Sequence, residues 1–130
     1  MKNLLRACAL LGALAVGLGA FGAHGLKSLV GPDQLVTFNT GIRYHFYHAL
    51  GIGMLAPLWH APGINHVRLR QAGWCWGVGI LLFSGSLYLL SLAEVMRVPT
   101  SVLGPVTPVG GLFFIAGWVL LLLAPADRMR

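Results

Sequence analysis

Four long apolar stretches separate the few charged residues of this chain, and this pattern limits the folds that it can adopt. A helix needs about 20 mostly apolar residues to cross the hydrocarbon core of a bilayer. Charged residues are only 9% of the chain, too few to coat a water-soluble globule. The sequence therefore predicts an all-α integral membrane protein, a four-transmembrane-helix bundle that forms a single membrane domain over residues 1–130. The predicted spans cover residues 5–23, 44–61, 72–92 and 108–124.

The first apolar stretch, Ala7 to Ala23, contains no polar side chain and follows Lys2 and Arg6. A cleaved signal peptide has the same pattern and is therefore an alternative. The residues near its end, Ala20 to Gly22, form a poor cleavage site, and three more predicted spans follow. This favours an uncleaved first helix. Its small residues recur every four positions, which allows a neighbouring helix backbone to approach closely.

The longest polar stretch of the chain precedes the second span. Within it, Gly31-Pro32-Asp33 is typical of a helix start, because proline fits the first turn and an acidic side chain suits the positive end of the helix dipole. Leu35, Phe38 and Ile42 then fall on one face of a helix. The sequence therefore predicts an amphipathic helical segment at the membrane interface, between the first and second spans and running into the second.

The second span is cleanly apolar only from Ala49 to Trp59, so it must begin near Tyr44 to reach bilayer length. His45 and His48 then enter its outer end and project to the same side of the helix. Two imidazoles can begin a metal site, but zinc normally takes three or four protein ligands. Even with His24 as a third ligand the set is short. The sequence therefore predicts no metal and no cofactor, with the histidines bonded to neighbouring groups.

Three classes of function are disfavoured by the charged and catalytic residue types. The chain contains no nucleotide loop, nucleophile elbow, zinc-protease helix or pair of carboxylates, so we expect no enzyme and no catalytic residues. Nucleic-acid binding needs a cationic stripe, whereas these charges stand singly or in pairs between apolar stretches. Ion-coupled carriers usually place Asp, Glu, Arg or Lys at mid-membrane, and no predicted span contains one there.

Basic residues are divided unevenly between the two sides that four crossings would create. Loops rich in lysine and arginine stay in the cytoplasm. The sequence therefore predicts a multi-pass protein with both termini cytoplasmic. The side with the termini carries Lys2, Arg6, Arg68, Arg70, Arg128 and Arg130, and the other side carries Lys27, Arg43 and Arg97.

Several segments, in order along nearly the whole chain, resemble those of one family. They are Gly19 to His24, Phe38 to Tyr44 followed by His48, Leu82 to Tyr88, and Thr107 to Gly111 with Ala116-Gly117-Trp118. The resemblance is to the YgdD-like family, the DUF423 group of small bacterial inner-membrane proteins with mitochondrial relatives. It implies four spans in an energy-coupling membrane, the cell inner membrane in bacteria, and no established activity. Many members have an acidic residue in place of Asn39 and glutamine in place of His45, so His45 is not expected in a shared site.

A candidate polar pocket follows from the positions of the polar residues along the spans. At 1.5 Å per residue, His48 and Tyr88 would both lie about 6 Å below the outer membrane boundary. We expect His24, His48 and Tyr88 to face inward and share a hydrogen-bond network or pocket, with Ser84 one turn deeper. A purely structural network and a ligand site both remain open. The candidate residues are His24, Tyr44, His48, Ser84, Ser86, Tyr88 and Thr107.

Two functions agree with these patterns. The first is a non-enzymatic accessory or assembly component of a larger membrane complex, which packs against another membrane protein or a copy of itself through its small residues. The second is a binding or transport module for a small apolar or amphipathic ligand, such as a lipid or a quinone, in the outer-face His/Tyr/Ser pocket. Both place the chain in a lipid bilayer without a nucleic-acid partner.

Overall fold

The computed structural model describes residues 2–125, which form five α-helices joined by short turns. A 3-10 turn, Leu26–Ser28, follows the first helix, and a π-helical turn, Ile80–Ser84, joins the third helix to the fourth. The all-α class is therefore confirmed for this part of the chain. The helices are α1 Lys2–His24, α2 Pro32–Leu58, α3 His66–Gly79, α4 Gly85–Met96 and α5 Leu103–Leu122.

Three stretches within residues 2–125 are helical, long and apolar enough to cross a membrane: Lys2–Ser28, His66–Met96 and Leu103–Leu122. The second of these includes α3, the π-helical turn and α4 without interruption. α2 has 27 residues and is about 40 Å long at 1.5 Å per residue. The polar residues in the first half of α2 lower its hydropathy, so α2 is not one of these stretches. Three of the four predicted spans therefore lie in helices that are long and apolar enough to cross a membrane.

The predicted amphipathic segment and the predicted second span are one continuous helix, α2. It begins at Pro32 with Asp33 in its first turn, as the sequence predicts. Its apolar face is turned into the bundle, where Phe38 is buried and Leu35 and Ile42 are half-buried. The segment is therefore helical and runs into the predicted second span, because α2 continues through residue 44 without a break.

The last helix begins earlier than residue 108, and two prolines lie within it. α5 starts at Leu103, so Pro105 falls in the first turn, where backbone N–H groups have no partner within a helix. Pro108 lies one turn further on and removes a single hydrogen bond to the Gly104 carbonyl. α5 therefore extends five residues before the predicted span, which starts at residue 108.

The π-helical turn lies at the middle of the third apolar stretch and is packed against α5. Gly110 of α5 meets its backbone directly, since a Cβ added at Gly110 would stand 2.7 Å from the Phe83 Cα. Such turns widen a helix by one residue and occur frequently at functional sites. Nothing in the local sequence predicted it.

Contacts between small and large residues fix the height of each helix relative to its neighbours. α2 is antiparallel to α1 and to the stretch from α3 to α4, and that stretch is antiparallel to α5. With a rise of 1.5 Å per residue, the contacts given below place His48 at the same height as Ala13, Ile80 and Phe113. These three residues lie near the midpoints of the three stretches that are long enough to cross a membrane. The contacts are Gly22–Phe38, Gly53–Cys8, Gly41–Tyr88, Gly51–Trp76, Gly79–Phe114, Gly110–Phe83 and Gly117–Trp76.

Candidate functional site

His48 is buried at mid-height in the bundle, where both of its ring nitrogens have partners. Nδ1 lies 2.7 Å from the Tyr44 carbonyl, and Nε2 lies 3.1 Å from Nε1 of Trp118. A carbonyl accepts and an indole N–H donates, so Nδ1 carries the proton and Nε2 accepts. The ring also stacks on Phe114, with centroids 3.6 Å apart and planes 7° apart. These contacts hold His48 in one neutral tautomer and one orientation.

His48 lies near the middle of the helices in height, whereas the sequence placed it four residues after the start of the second span, about 6 Å below the outer boundary. The prediction took Tyr44 as the start of the second span, because the cleanly apolar stretch is too short and this start gives it bilayer length. In the structure α2 begins twelve residues earlier, at Pro32. Of its polar side chains, His45 and His48 are buried in the bundle, whereas Asn39 and Arg43 are exposed.

Tyr88 bonds to His45, the histidine that the family resemblance set aside. Its hydroxyl lies 3.0 Å from His45 Nδ1, and His45 is only 1% exposed. Two atoms beside this pair, His45 Nε2 and Ser84 Oγ, have no hydrogen bond of good geometry within residues 2–125. The three-residue spacing of His45 and His48 was the signal that could have kept His45 among the candidates.

The structure brings Ser86 and Thr107 together where α4 packs on α5. Their hydroxyl oxygens are 2.6 Å apart, and Ser86 also donates to the Phe83 carbonyl at 2.9 Å. This pair satisfies two hydroxyl groups between helices in an apolar environment. It tethers α5 to the helical stretch that contains the π-helical turn.

His24 does not join the other candidates, so a pocket shared by His24, His48 and Tyr88 is wrong. It is the last residue of α1 and is exposed. The height alignment puts it about 18 Å from His48 along the bundle axis. The candidates form three separate groups instead: His48 with Tyr44 and Trp118, Tyr88 with His45, and Ser86 with Thr107. Within residues 2–125 no three His, Cys, Asp or Glu side chains are grouped as metal ligands.

A cavity of about 590 Å³ opens beside His48, between α2, the π-helical turn and α5. This volume is within the range of small-molecule sites. The space beside Gly111 is nearly empty, because a Cβ added there would meet only the Phe83 ring, at 3.7 Å. We call this cavity the His48 pocket. Its lining residues are Tyr44, Tyr47, His48, Phe83, Gly111, Phe114, Ile115 and Trp118.

Comparisons with known proteins agree on one family. The family model described as "Protein of unknown function (DUF423)" matches residues 18–111. The UPF0382 membrane protein YwdK of Bacillus subtilis is 47% identical over 112 residues, which cover 85% of each chain. UPF0382 membrane proteins of Staphylococcus haemolyticus and Staphylococcus aureus are 36% and 38% identical over 124 residues, 95% of each chain. No solved structure matches the chain. The three relatives are named membrane proteins, and the matched range shows that the chain belongs to the DUF423 family.

Proposed function

We propose that this protein is a non-enzymatic membrane protein that binds a small, flat, mostly apolar molecule, such as a quinone or part of a lipid, in the His48 pocket. The observation that carries this proposal is a cavity of about 590 Å³ walled by aromatic rings and open at the bundle surface. The exposed side chains of Tyr47 and Ile115 form its rim. Aromatic walls favour ring-shaped ligands, because offset stacking adds to the burial of apolar surface.

The polar groups of the pocket are suited to binding rather than to chemistry. Both nitrogens of His48 are occupied by protein partners, so this side chain shapes the wall and is not available as a base or metal ligand. The Tyr44 and Tyr47 hydroxyls, by contrast, hydrogen-bond no other residue between 2 and 125. Either hydroxyl can donate to a carbonyl of a bound molecule. This division of roles supports a binding protein rather than an enzyme.

Filling the pocket should abolish binding, and the chain offers a matched control. Gly111→Leu is expected to weaken binding of a short-tailed quinone at least tenfold, because its side chain occupies the cavity. Gly104→Leu makes the same change on the same helix, at a site with no atom within 4 Å, and should bind normally. Equilibrium dialysis in detergent measures the affinity of each variant for the quinone. Mass spectrometry identifies the molecules that co-purify with each variant from native membranes. Equal binding by the two variants would contradict the proposal.

We also propose that α2 is a fourth crossing in the cell inner membrane and that both termini are cytoplasmic. The level packing of α2 against the three apolar stretches supports a fourth crossing. One end of the bundle joins α3 to α5, where Arg68 bonds the Leu123 carbonyl and the Asn65 N–H bonds the Ala124 carbonyl at 2.8 Å. Of the basic residues between 2 and 125, four belong to this end and three to the other half of the bundle.

Reporter fusions test this orientation. A reporter active only in the cytoplasm should be active after Arg130, and one active only outside should be active when inserted between residues 26 and 34. The physical reason is that six basic residues near the termini and the Arg68 loop resist translocation. An externally active C-terminal fusion would overturn the four-crossing, termini-inside topology.

A specific observation favours a second function, that of an accessory or assembly component of a larger complex. α1 packs mainly on α2, and only Ala15 and Gly22 of this helix are buried. Gly12 and Gly19 fall on one face of α1 and have no atom within 4 Å of an added Cβ, so another helix could approach closely there. Recovery of a stoichiometric protein that cross-links to this face, with the His48 pocket empty, would favour this function.

A further inference from the structure

A second cavity, distinct from the His48 pocket, lies at the surface between α1, α2 and α3 and has a volume of about 480 Å³. It exists because α1 and α3 each pack on α2 but scarcely touch one another. Gly73 and Gly77 of α3 form its floor, and a Cβ added at Gly77 would meet no atom within 4 Å. The apolar part of this cavity, which we call the acyl groove, is lined by Leu4, Ala7, Leu11, Ile52, Gly73 and Gly77.

The two ends of the groove differ in charge. Asn3 and Arg70 lie at one end, and Lys2, Arg6 and Arg68 belong to the same end of the bundle, where α1 and α3 begin. Arg68 is engaged with the Leu123 carbonyl, but the exposed Arg70 makes no hydrogen bond or ion pair within residues 2–125. The acidic residues of this range, Asp33 and Glu94, stand at the opposite end of the bundle, where Gln34 bonds Glu94. The groove therefore runs from a cationic rim into an apolar interior.

Aromatic side chains mark the same rim. Trp59 and Trp74 line the cavity, and Trp74 is 71% exposed. Tryptophan prefers the level of lipid headgroups, since its ring is apolar and its N–H is polar. A basic rim with indole rings, above a groove that continues toward mid-membrane, matches a phospholipid with its headgroup at Arg70 and a chain below.

The length of the groove suits an acyl chain. From Arg70 to Gly77 the groove extends about 10 Å along α3, or two turns. Its volume of about 480 Å³ is sufficient for a methylene chain.

We infer that the acyl groove binds one chain of an anionic phospholipid, with the phosphate held at the rim by Arg70 and Asn3. Basic recesses between transmembrane helices on the cytoplasmic side are suited to anionic headgroups, and this rim belongs to the end proposed to be cytoplasmic. The site shares no lining residue with the His48 pocket, so the two proposals can fail separately.

Native mass spectrometry of the delipidated full-length protein, titrated with phosphatidylglycerol or phosphatidylcholine, tests this inference. We expect one tight phosphatidylglycerol per chain and at least tenfold weaker binding of phosphatidylcholine. Arg70→Gln should weaken phosphatidylglycerol about tenfold, because the cation facing the phosphate is lost. Gly77→Leu should weaken both lipids, because its side chain fills the groove.

Two control variants separate a built site from general attraction. Arg6→Gln removes a charge at the same end of the bundle but outside the cavity, and Gly17→Leu adds the same side chain at an open position of α1. Both should bind phosphatidylglycerol like the unmodified protein, and circular dichroism should show all four variants helical. Equal weakening by Arg6→Gln and Arg70→Gln, or no preference between the lipids, would overturn the inference. So would a protein dimer that Gly77→Leu abolishes, because it would place a second copy in the groove.

Discussion

Gly110→Ala should destabilise the protein by roughly 3 kcal/mol, an unusually large effect for the addition of one methyl group. Gly110 is where α5 crosses the π-helical turn, and the added Cβ would stand 2.7 Å from the Phe83 Cα and 2.8 Å from its Cβ. A side chain could rotate away, but a backbone atom within a helical stretch cannot. The two helical stretches would therefore have to separate, which would loosen the Ser86–Thr107 pair and the packing of Phe114.

The neighbouring residue supplies the control for this prediction. A Cβ added at Gly111 would lie 3.7 Å from the Phe83 ring, an ordinary contact. Gly111→Ala should therefore be neutral or stabilise the helix by up to about 1 kcal/mol, since alanine has the higher helix propensity. Thermal unfolding of both variants in the same detergent compares them directly. Melting temperatures that agree within error would refute the close backbone contact.

His48→Ala should cost about 3 kcal/mol of unfolding free energy, with no change in net charge because His48 is held neutral. The substitution removes the stacked ring beside Phe114 and leaves the Trp118 N–H without its acceptor. A buried donor that loses its partner costs about 1–3 kcal/mol by itself. The hydrogen-bond part can be isolated with Trp118→Phe in a double-mutant cycle, which should show a coupling of about 1 kcal/mol.

His24→Ala is the matched control for His48→Ala. His24 is exposed at the end of α1, so its removal should change stability by less than about 0.5 kcal/mol. Denaturant titration followed by circular dichroism measures both variants. If His48→Ala were no more destabilising than His24→Ala, the buried His48–Trp118 arrangement would be incorrect.

The sequence alone was sufficient for properties that depend on local composition. The apolar stretches predicted an all-helical membrane protein, because length and hydropathy decide whether a helix can cross a bilayer. Gly31-Pro32-Asp33 predicted the start of α2, because helix starts depend on the backbone of a few neighbouring residues. The segments around Phe38, Ser84 and Thr107 were sufficient for the family. The residue types also indicated that any polar site would use histidine, tyrosine and serine.

Only the tertiary structure decided which of these residues meet and at what depth. Tyr44 resembled a membrane boundary, because polarity read along a chain does not show whether a side chain faces lipid or another helix. α2 in fact buries His45 and His48 in the bundle, and its packing on the neighbouring helices places His48 near mid-height. Likewise, His45 hydrogen-bonds Tyr88, whereas His24 contacts neither of them. The offsets between the antiparallel helices set the distances between these side chains. Those offsets depend on contacts between glycines and large side chains far apart in sequence, and no local pattern contains that information.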